Sequence, residues 1–588
     1  MKNIYLKNLQ LVLCFVGFFN LAWGQSDLFE VPLREQINTS TQIVEGKVIS
    51  KRSMWDSEHH NIYTVNTIEI YKVFKGSPLS TLEIITEGGV VDMKAQITTS
   101  SLDLAIDDIG VFMLYDNNIN FSSQNSNPSN KFRPYSAIQG FYKYNIYENK
   151  ASNPFKFYNG ISQVFYNEIK SLTQKNFVSV LPFDIDNQRL SENRIAGSMA
   201  ITSFSPQSIS GGTRSVLTID GAGFGSATGN VSFRDANDGG SSLYNALPSQ
   251  IISWTDTQIQ VQVPSRAGTG TIRVSNSIGV NVTSTSALTI PYSEINVISS
   301  SNVAYPTQHI NDNGSGGYTW AMYLTFAVNA AATQSFTRAF DSWRCETGVN
   351  WEIDSNFTTV NTIAADGTNV IRFDVGTELP NGVLGRNTSY FNGCSNGSDL
   401  EWYVSELDIV FDSSANWQYG PSNPNAAQID FETVAVHELG HGHQLAHVIN
   451  TNAIMHYAIG NGVNNRILAA NDIAGGNDVQ SRSTTNAVCG LGLMTNHSCS
   501  LGIDENELAS SLLIYPNPAK NQINIKNNYQ LLIQDIELVD VTGRSIQKQK
   551  YPDTLNIYTL DSSNLSSGLY MLNINVEGIT LTKKVVIE

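Results

Sequence analysis

Five of the nine histidines fall between positions 437 and 456. The block reads His437-Glu438-Leu439-Gly440-His441-Gly442-His443-Gln444-Leu445-Ala446-His447, and it constrains the fold more than any other stretch. Asp430 stands as an N-cap before an apolar-periodic run to Gln444, which predicts a helix. Residues four apart on a helix lie about 40° apart, so His437 and His441 share a face. His447 does not: on a continued helix it would sit ~240° around and ~9 Å along from His441. A chain that brings all three together must stop the helix near Gly442 to Gln444 and turn back. His443 lies off the shared face and reads as non-ligating, and His456 reads as structural. The adjacent pair His59-His60 would diverge on a strand and reads as exposed loop histidine.

Two imidazoles at H-E-x-x-H spacing suit a zinc ion at ligand distances of about 2.0–2.1 Å. Glu438, beside that face, is placed to deprotonate water rather than to ligate. With His447 as third ligand, the pattern resembles that of the metzincin metalloproteases, H-E-x-x-H-x-x-G-x-x-H. Here Gln444 replaces the family glycine, which takes φ > 0 at the turn. Either Gln444 bears that conformation, at about 1–2 kcal/mol, or Gly442 takes the strain. Ala453-Ile454-Met455-His456-Tyr457 resembles the Met-turn of the same family. The resemblance implies that Met455 forms an apolar floor beneath the metal. It also implies that Tyr457 either ligates zinc or stabilises the oxyanion, the alternative being a tyrosine packed under the turn. The MHY form is similar to the astacin and serralysin branches, whereas HELGH and ELDIVFD are matrixin-like, so the branch stays open. The resemblance further implies that peptide is held as an added strand on a sheet edge, for which Gly382 to Phe391 is the candidate.

The remaining chain divides by pattern. Residues 1–24 have signal-peptide anatomy: Lys2 and Lys7, an apolar Leu9 to Leu21, and the small-x-small Ala22-Trp23-Gly24. Residues 25–195 read as a β-rich domain and a candidate prosegment, with alternating strands at Gln42 to Ile49 and Ile62 to Phe74. Residues 200–291 carry ITSFSP, LTIDGAGFG, ISWTDTQIQVQVP and GTIRVSNSIG. They resemble an IPT/TIG domain, an immunoglobulin-like β-sandwich. Residues 296–505 read as α+β: a helix over Thr333 to Cys345, strands at Val370 to Val375 and Glu406 to Phe411, then the histidine helix. Residues 508–588 carry YPNPAKNQINI, VTGR and SSGLYML. They resemble the type IX secretion C-terminal sorting domain, which implies a β-sandwich read by that machinery. The family often closes on a basic residue; this chain closes on Glu588.

A net charge of -17 with no Lys/Arg cluster excludes general nucleic-acid binding. No stretch of the mature chain is apolar enough to span a bilayer. In an oxidising compartment the four mature cysteines read as two bridges, for which proximity favours Cys345–Cys394 and Cys489–Cys499. The expectation is a multidomain, secreted or outer-membrane surface-attached zinc endopeptidase acting on protein or peptide, with Glu438 as general base. The alternative is a non-catalytic surface adhesin on a degenerate protease scaffold. Calcium is compatible with such a domain, but no specific motif points to it.

Overall fold

The structure is a computed structural model. It describes residues 28–121, 130–192, 199–457 and 462–588, except 377, 398, 500–511 and short segments at 528–530, 532, 552–553 and 577–578. The expected signal peptide lies outside the described residues. The chain separates into two compact units, Met1–Asn496 and His497–Glu588.

The first unit opens with strands whose period-2 alternation puts one row of side chains inward. They are β1 (Gln42–Trp55), β2 (Ile62–Lys75), β3 (Thr81–Glu87), β4 (Gly89–Val91), β5 (Lys94–Thr98), β6 (Ile109–Asp116) and β7 (Lys131–Pro134). The order β1-β2-β3-β7-β6 closes on itself, because β6 also pairs with β1 from Gln42↔Leu114 to Lys47↔Ile109. All these pairings are antiparallel except β3 with β7. Closure removes the free edges of this barrel. Val44, Ile68, Ile84, Phe112 and Leu114 fill it. The hairpin β4–β5 leaves the barrel between β3 and β6 and takes no part in its closure.

Residues 199–292 form two four-stranded sheets. Alternate residues of their strands face inward, as Leu217 and Ile219, Val231 and Phe233, Ile259 and Val261, and Ile272 and Val274 show. This is the expected sandwich.

The domain that follows contains β8 (Tyr318–Met322), α1 (Ala330–Thr347), β9 (Trp351–Ile353), β10 (Asn369–Phe373), β11 (Gly385–Asn396), β12 (Asp399–Phe411), α2 (Phe431–Gly442) and α3 (Ala470–Thr485). Phe336, Ala339, Phe340 and Trp343 recur at helical spacing on α1 and are fully buried. Asn329 caps the start of α1 and Gly348, at φ 74, ends it. Its strands order as β9-β8-β10-β12-β11, parallel apart from β11, and the sheet then continues through β5 and β4 of the preceding domain. Ala95 of β5 lies in this domain's own core. The α+β expectation holds, but the sheet is completed by residues nearly three hundred positions upstream.

The expected disulfides do not form as paired. Cys394 is bonded to Cys489, 95 residues away, which overturns both Cys345–Cys394 and Cys489–Cys499. Proximity along the chain misled because Cys394 lies at the far end of β11. There the Cys489 N–H donates to Glu401 on the facing strand (3.1 Å).

In the second unit, Ile523, Ile525, Leu538, Leu572 and Val585 fill a core between a three-stranded and a four-stranded sheet. Among the described residues, no helix is long and apolar enough to cross a membrane.

Candidate metal centre

Helix α2 starts where the sequence places it. Asp430 accepts from Thr433 N–H at 2.9 Å as N-cap, a contact typically worth about 1 kcal/mol. Every residue of α2 is buried. Its approach to β11 needs Gly385, where a Cβ would lie 2.8 Å from Val434 and 3.1 Å from Glu438.

The helix ends at Gly442, and Gln444 takes φ 67. Of the two alternatives, the glutamine bears the left-handed conformation. Its amide makes this tolerable: Oε1 accepts from Thr307 Oγ1 (2.8 Å) and Nε2 donates to the Gly442 carbonyl (3.1 Å). Its backbone carbonyl accepts from Ile295 N–H (2.8 Å). The returning chain, Leu445–Ala446, pairs with Ser293–Glu294.

This turn brings the three histidines together. His441 Nε2 lies 3.0 Å from His437 Nε2 and 3.2 Å from His447 Nε2, and His437 and His447 are 3.3 Å apart. For ligands at about 2.05 Å in a tetrahedron, neighbouring nitrogens are about 3.3 Å apart, so the triad fits a zinc ion. The opposite ring nitrogens are all engaged. His437 Nδ1 meets the Ile454 carbonyl and His441 Nδ1 the Leu445 carbonyl, both at 2.8 Å, and His447 Nδ1 meets Asn237 Oδ1 at 3.0 Å. Each Nδ1 then carries the proton, and each Nε2 turns a lone pair to the common point. Burial favours the neutral ring at His437, which it pushes down to about 4, with a smaller contribution from His456. It also holds His447 well below the ordinary range, aided by His441 and His437.

Asn237 belongs to the sandwich domain, 210 positions before His447. Its short turn is capped by Asp235, which accepts from Asn237 N–H. Glu438 is fully buried beside the triad, and its Oε2 accepts from Thr99 Oγ1 at 3.1 Å. Neither Asn237 nor Thr99 is marked by any local pattern.

Met455 lies beneath α2: a Cβ on Gly440 would meet its sulfur at 2.3 Å. The Met-turn is held by Asp472 at the start of α3, which accepts from Ile454 N–H (2.8 Å) and Met455 N–H (3.2 Å). Tyr457 is buried against the sandwich domain, where a Cβ on Gly239 would meet its hydroxyl at 2.2 Å. Burial, then the Asp238 carboxylate, raises this phenol to about 12. His456 meets the Val448 carbonyl through Nδ1. His443 faces away from the triad, its Nδ1 3.3 Å from His309 Nε2, among Trp343 and Trp351. His59 and His60 are exposed in a loop. A second cluster, Cys394, Glu401 and Cys489, has metal-ligand composition, but its two sulfurs are bonded to each other.

Comparison with known families agrees with this geometry. Residues 318–479 match the family model for Matrixin. Residues 199–292 match the IPT/TIG domain, and 513–588 the secretion system C-terminal sorting domain. No curated protein matches the chain. The match falls on the family to which HELGH and ELDIVFD are similar. A sorting domain of this kind directs its carrier to secretion or surface attachment. The chain thus carries a matrixin-type metallopeptidase domain of the metzincin class, preceded by an IPT/TIG domain and followed by a secretion sorting domain.

Proposed function

We propose that the protein is a secreted zinc endopeptidase whose general base is Glu438. The observation that carries this reading is the convergence of three back-bonded imidazoles beside one buried carboxylate. His437, His441 and His447 would hold the ion. When bound, zinc supplies the Lewis acidity that polarises a peptide carbonyl and acidifies water. Glu438 accepts the proton of the attacking water and passes it to the leaving amine, which completes hydrolysis without a covalent enzyme intermediate. In this structure β5 covers β11; with β5 displaced, β11 would supply an edge on which an extended peptide lies beside Glu438. Tyr457 donates a hydrogen bond to the developing oxyanion. The rival adhesin reading requires a degenerate site, and an intact triad with its glutamate speaks against it.

Residues 1–24 act as export signal, 25–195 as an N-terminal domain with a prosegment role, 200–291 as the Ig-like domain, 296–505 as the peptidase and 508–588 as the sorting domain. In the deciding experiment the purified chain holds about one zinc. Glu438→Ala keeps the zinc and loses hydrolysis of an unfolded protein; unchanged activity in that variant refutes the mechanism. Deleting 508–588 leaves the protein in the periplasm, and normal appearance in the medium refutes the export role.

A further inference from the structure

We propose that the β4–β5 hairpin is a tethered occupant of the substrate cleft, and that the barrel carrying it is an inhibitor of the peptidase domain, displaced before peptide can bind. This rests on the reading of β11 as the peptide edge. β5 lies antiparallel along that edge, from Lys94↔Asn392 to Thr98↔Thr388. Gly393 N–H donates to the Met93 carbonyl and Thr99 N–H to the Asn387 carbonyl, both at 2.9 Å. By the alternation of an antiparallel ladder, the odd-numbered residues of this stretch direct their main-chain groups to β11. An incoming extended peptide needs those same groups.

The occupant ends at the catalytic carboxylate. Thr99 Oγ1 accepts from Asn387 N–H (2.9 Å) and donates to Glu438 Oε2 (3.1 Å). Ser100 follows at φ 57 and takes the chain out of the strand. No cysteine lies between Gln25 and Arg344, so a thiolate from this region cannot silence the metal. Here a hydroxyl engages the base instead.

The barrel is clamped along the whole edge. Phe29 N–H donates to the Gly382 carbonyl (2.8 Å), and Asn381 Nδ2 donates to Glu35 (2.7 Å). Arg386 pairs with Glu87 at 2.6 Å, and the Tyr390 hydroxyl donates to Asn61 at 2.9 Å. The barrel closes without the hairpin, and Gln96 of β5, which accepts from Ile62 N–H on β2 (2.6 Å), ties the hairpin to the barrel that carries it. A tether of this kind presents its segment at an effective concentration in the millimolar range, which a micromolar substrate does not displace.

The test uses the full chain and two substitutions. Ile97→Pro removes an N–H directed at β11. Thr99→Val keeps the shape and removes the hydroxyl. Hydrogen bonds to a charged partner are worth on the order of ten- to a hundredfold. Cleavage of an unfolded protein should rise at least tenfold in each variant. In a Glu438→Gln background, binding of a fluorescent peptide copying residues 93–102 is measured by anisotropy, with and without Ile97→Pro. Binding should tighten at least tenfold with the substitution. Equal peptide binding in both overturns the latch, whatever the activities. A gain in binding with no hydrolysis by any form upholds the latch and removes the peptidase reading. Zinc content and near-UV circular dichroism identify a misfolded Ile97→Pro; Thr99→Val at parental activity then overturns the proposal.

Discussion

Two polar side chains reach the candidate metal centre from other domains, and they meet different groups of it. Asn237 comes from the sandwich and holds His447 from behind, at the nitrogen turned away from the common point. Thr99 follows β5 of the N-terminal domain and donates to Glu438. Both contacts are single hydrogen bonds of about 3 Å. The difference lies in which group each satisfies. A ligand's outer nitrogen needs a partner in every state of the enzyme, whereas the base needs its carboxylate free to act. One neighbour therefore belongs to the working site, and the other must leave it.

The largest test of this contrast removes the group on which Thr99 acts. Glu438→Ala should lower turnover by roughly 10²–10⁴ while leaving the metal in place, checked by metal analysis beside a peptidase assay. Parental turnover would make Thr99's partner irrelevant to catalysis. Tyr457→Phe comes next. Loss of one oxyanion donor costs about 10²–10³ in turnover, whereas a tyrosine that merely packs on Gly239 would leave both turnover and zinc affinity at parental values. Asn237→Ala should weaken zinc binding by about 10–100-fold in competition with a chromophoric chelator. It should not relieve any block on peptide binding, and a gain there would collapse the distinction. The smallest effect falls on the turn between the ligands. Gln444→Ala removes the shorter of the two acceptors of the buried Thr307 hydroxyl, leaving it the Ile295 carbonyl at 3.3 Å, does not ease φ, and should cost about 0.5–1.5 kcal/mol in denaturant unfolding.

What the sequence made legible follows from distance along the chain. The triad, the N-cap Asp430 and the helix stop near Gly442 all depend on residues within about a dozen positions, where spacing alone sets geometry. The conformation at Gln444 was open between two residues, because what decides it is Thr307 and Ile295, more than a hundred positions upstream. Asn237 and Thr99 carry no local signature: an asparagine in a capped turn and a threonine after a strand are ordinary. The bridge failed for the same reason. Cys394 on β11 meets Cys489 from the chain beyond α3, beside Glu401 of β12, which no count of intervening residues reveals.

The partnership of Asn237 with His447 bears on how this protein can be divided. Residues 318–479 mark what is shared with matrixins, but they are not a self-sufficient piece. Excision at those limits discards the asparagine behind the third histidine, Thr307 and Ile295 that secure Gln444, the strand Ser293–Glu294 that pairs with Leu445–Ala446, and Cys489. The immunoglobulin-like module therefore contributes a residue to the candidate metal centre of the domain it precedes. A shortened form meant to keep the partner of His447 Nδ1 within its intact module has to begin no later than residue 199, and recombination that exchanges this module for a sequence-unrelated one would carry off that partner.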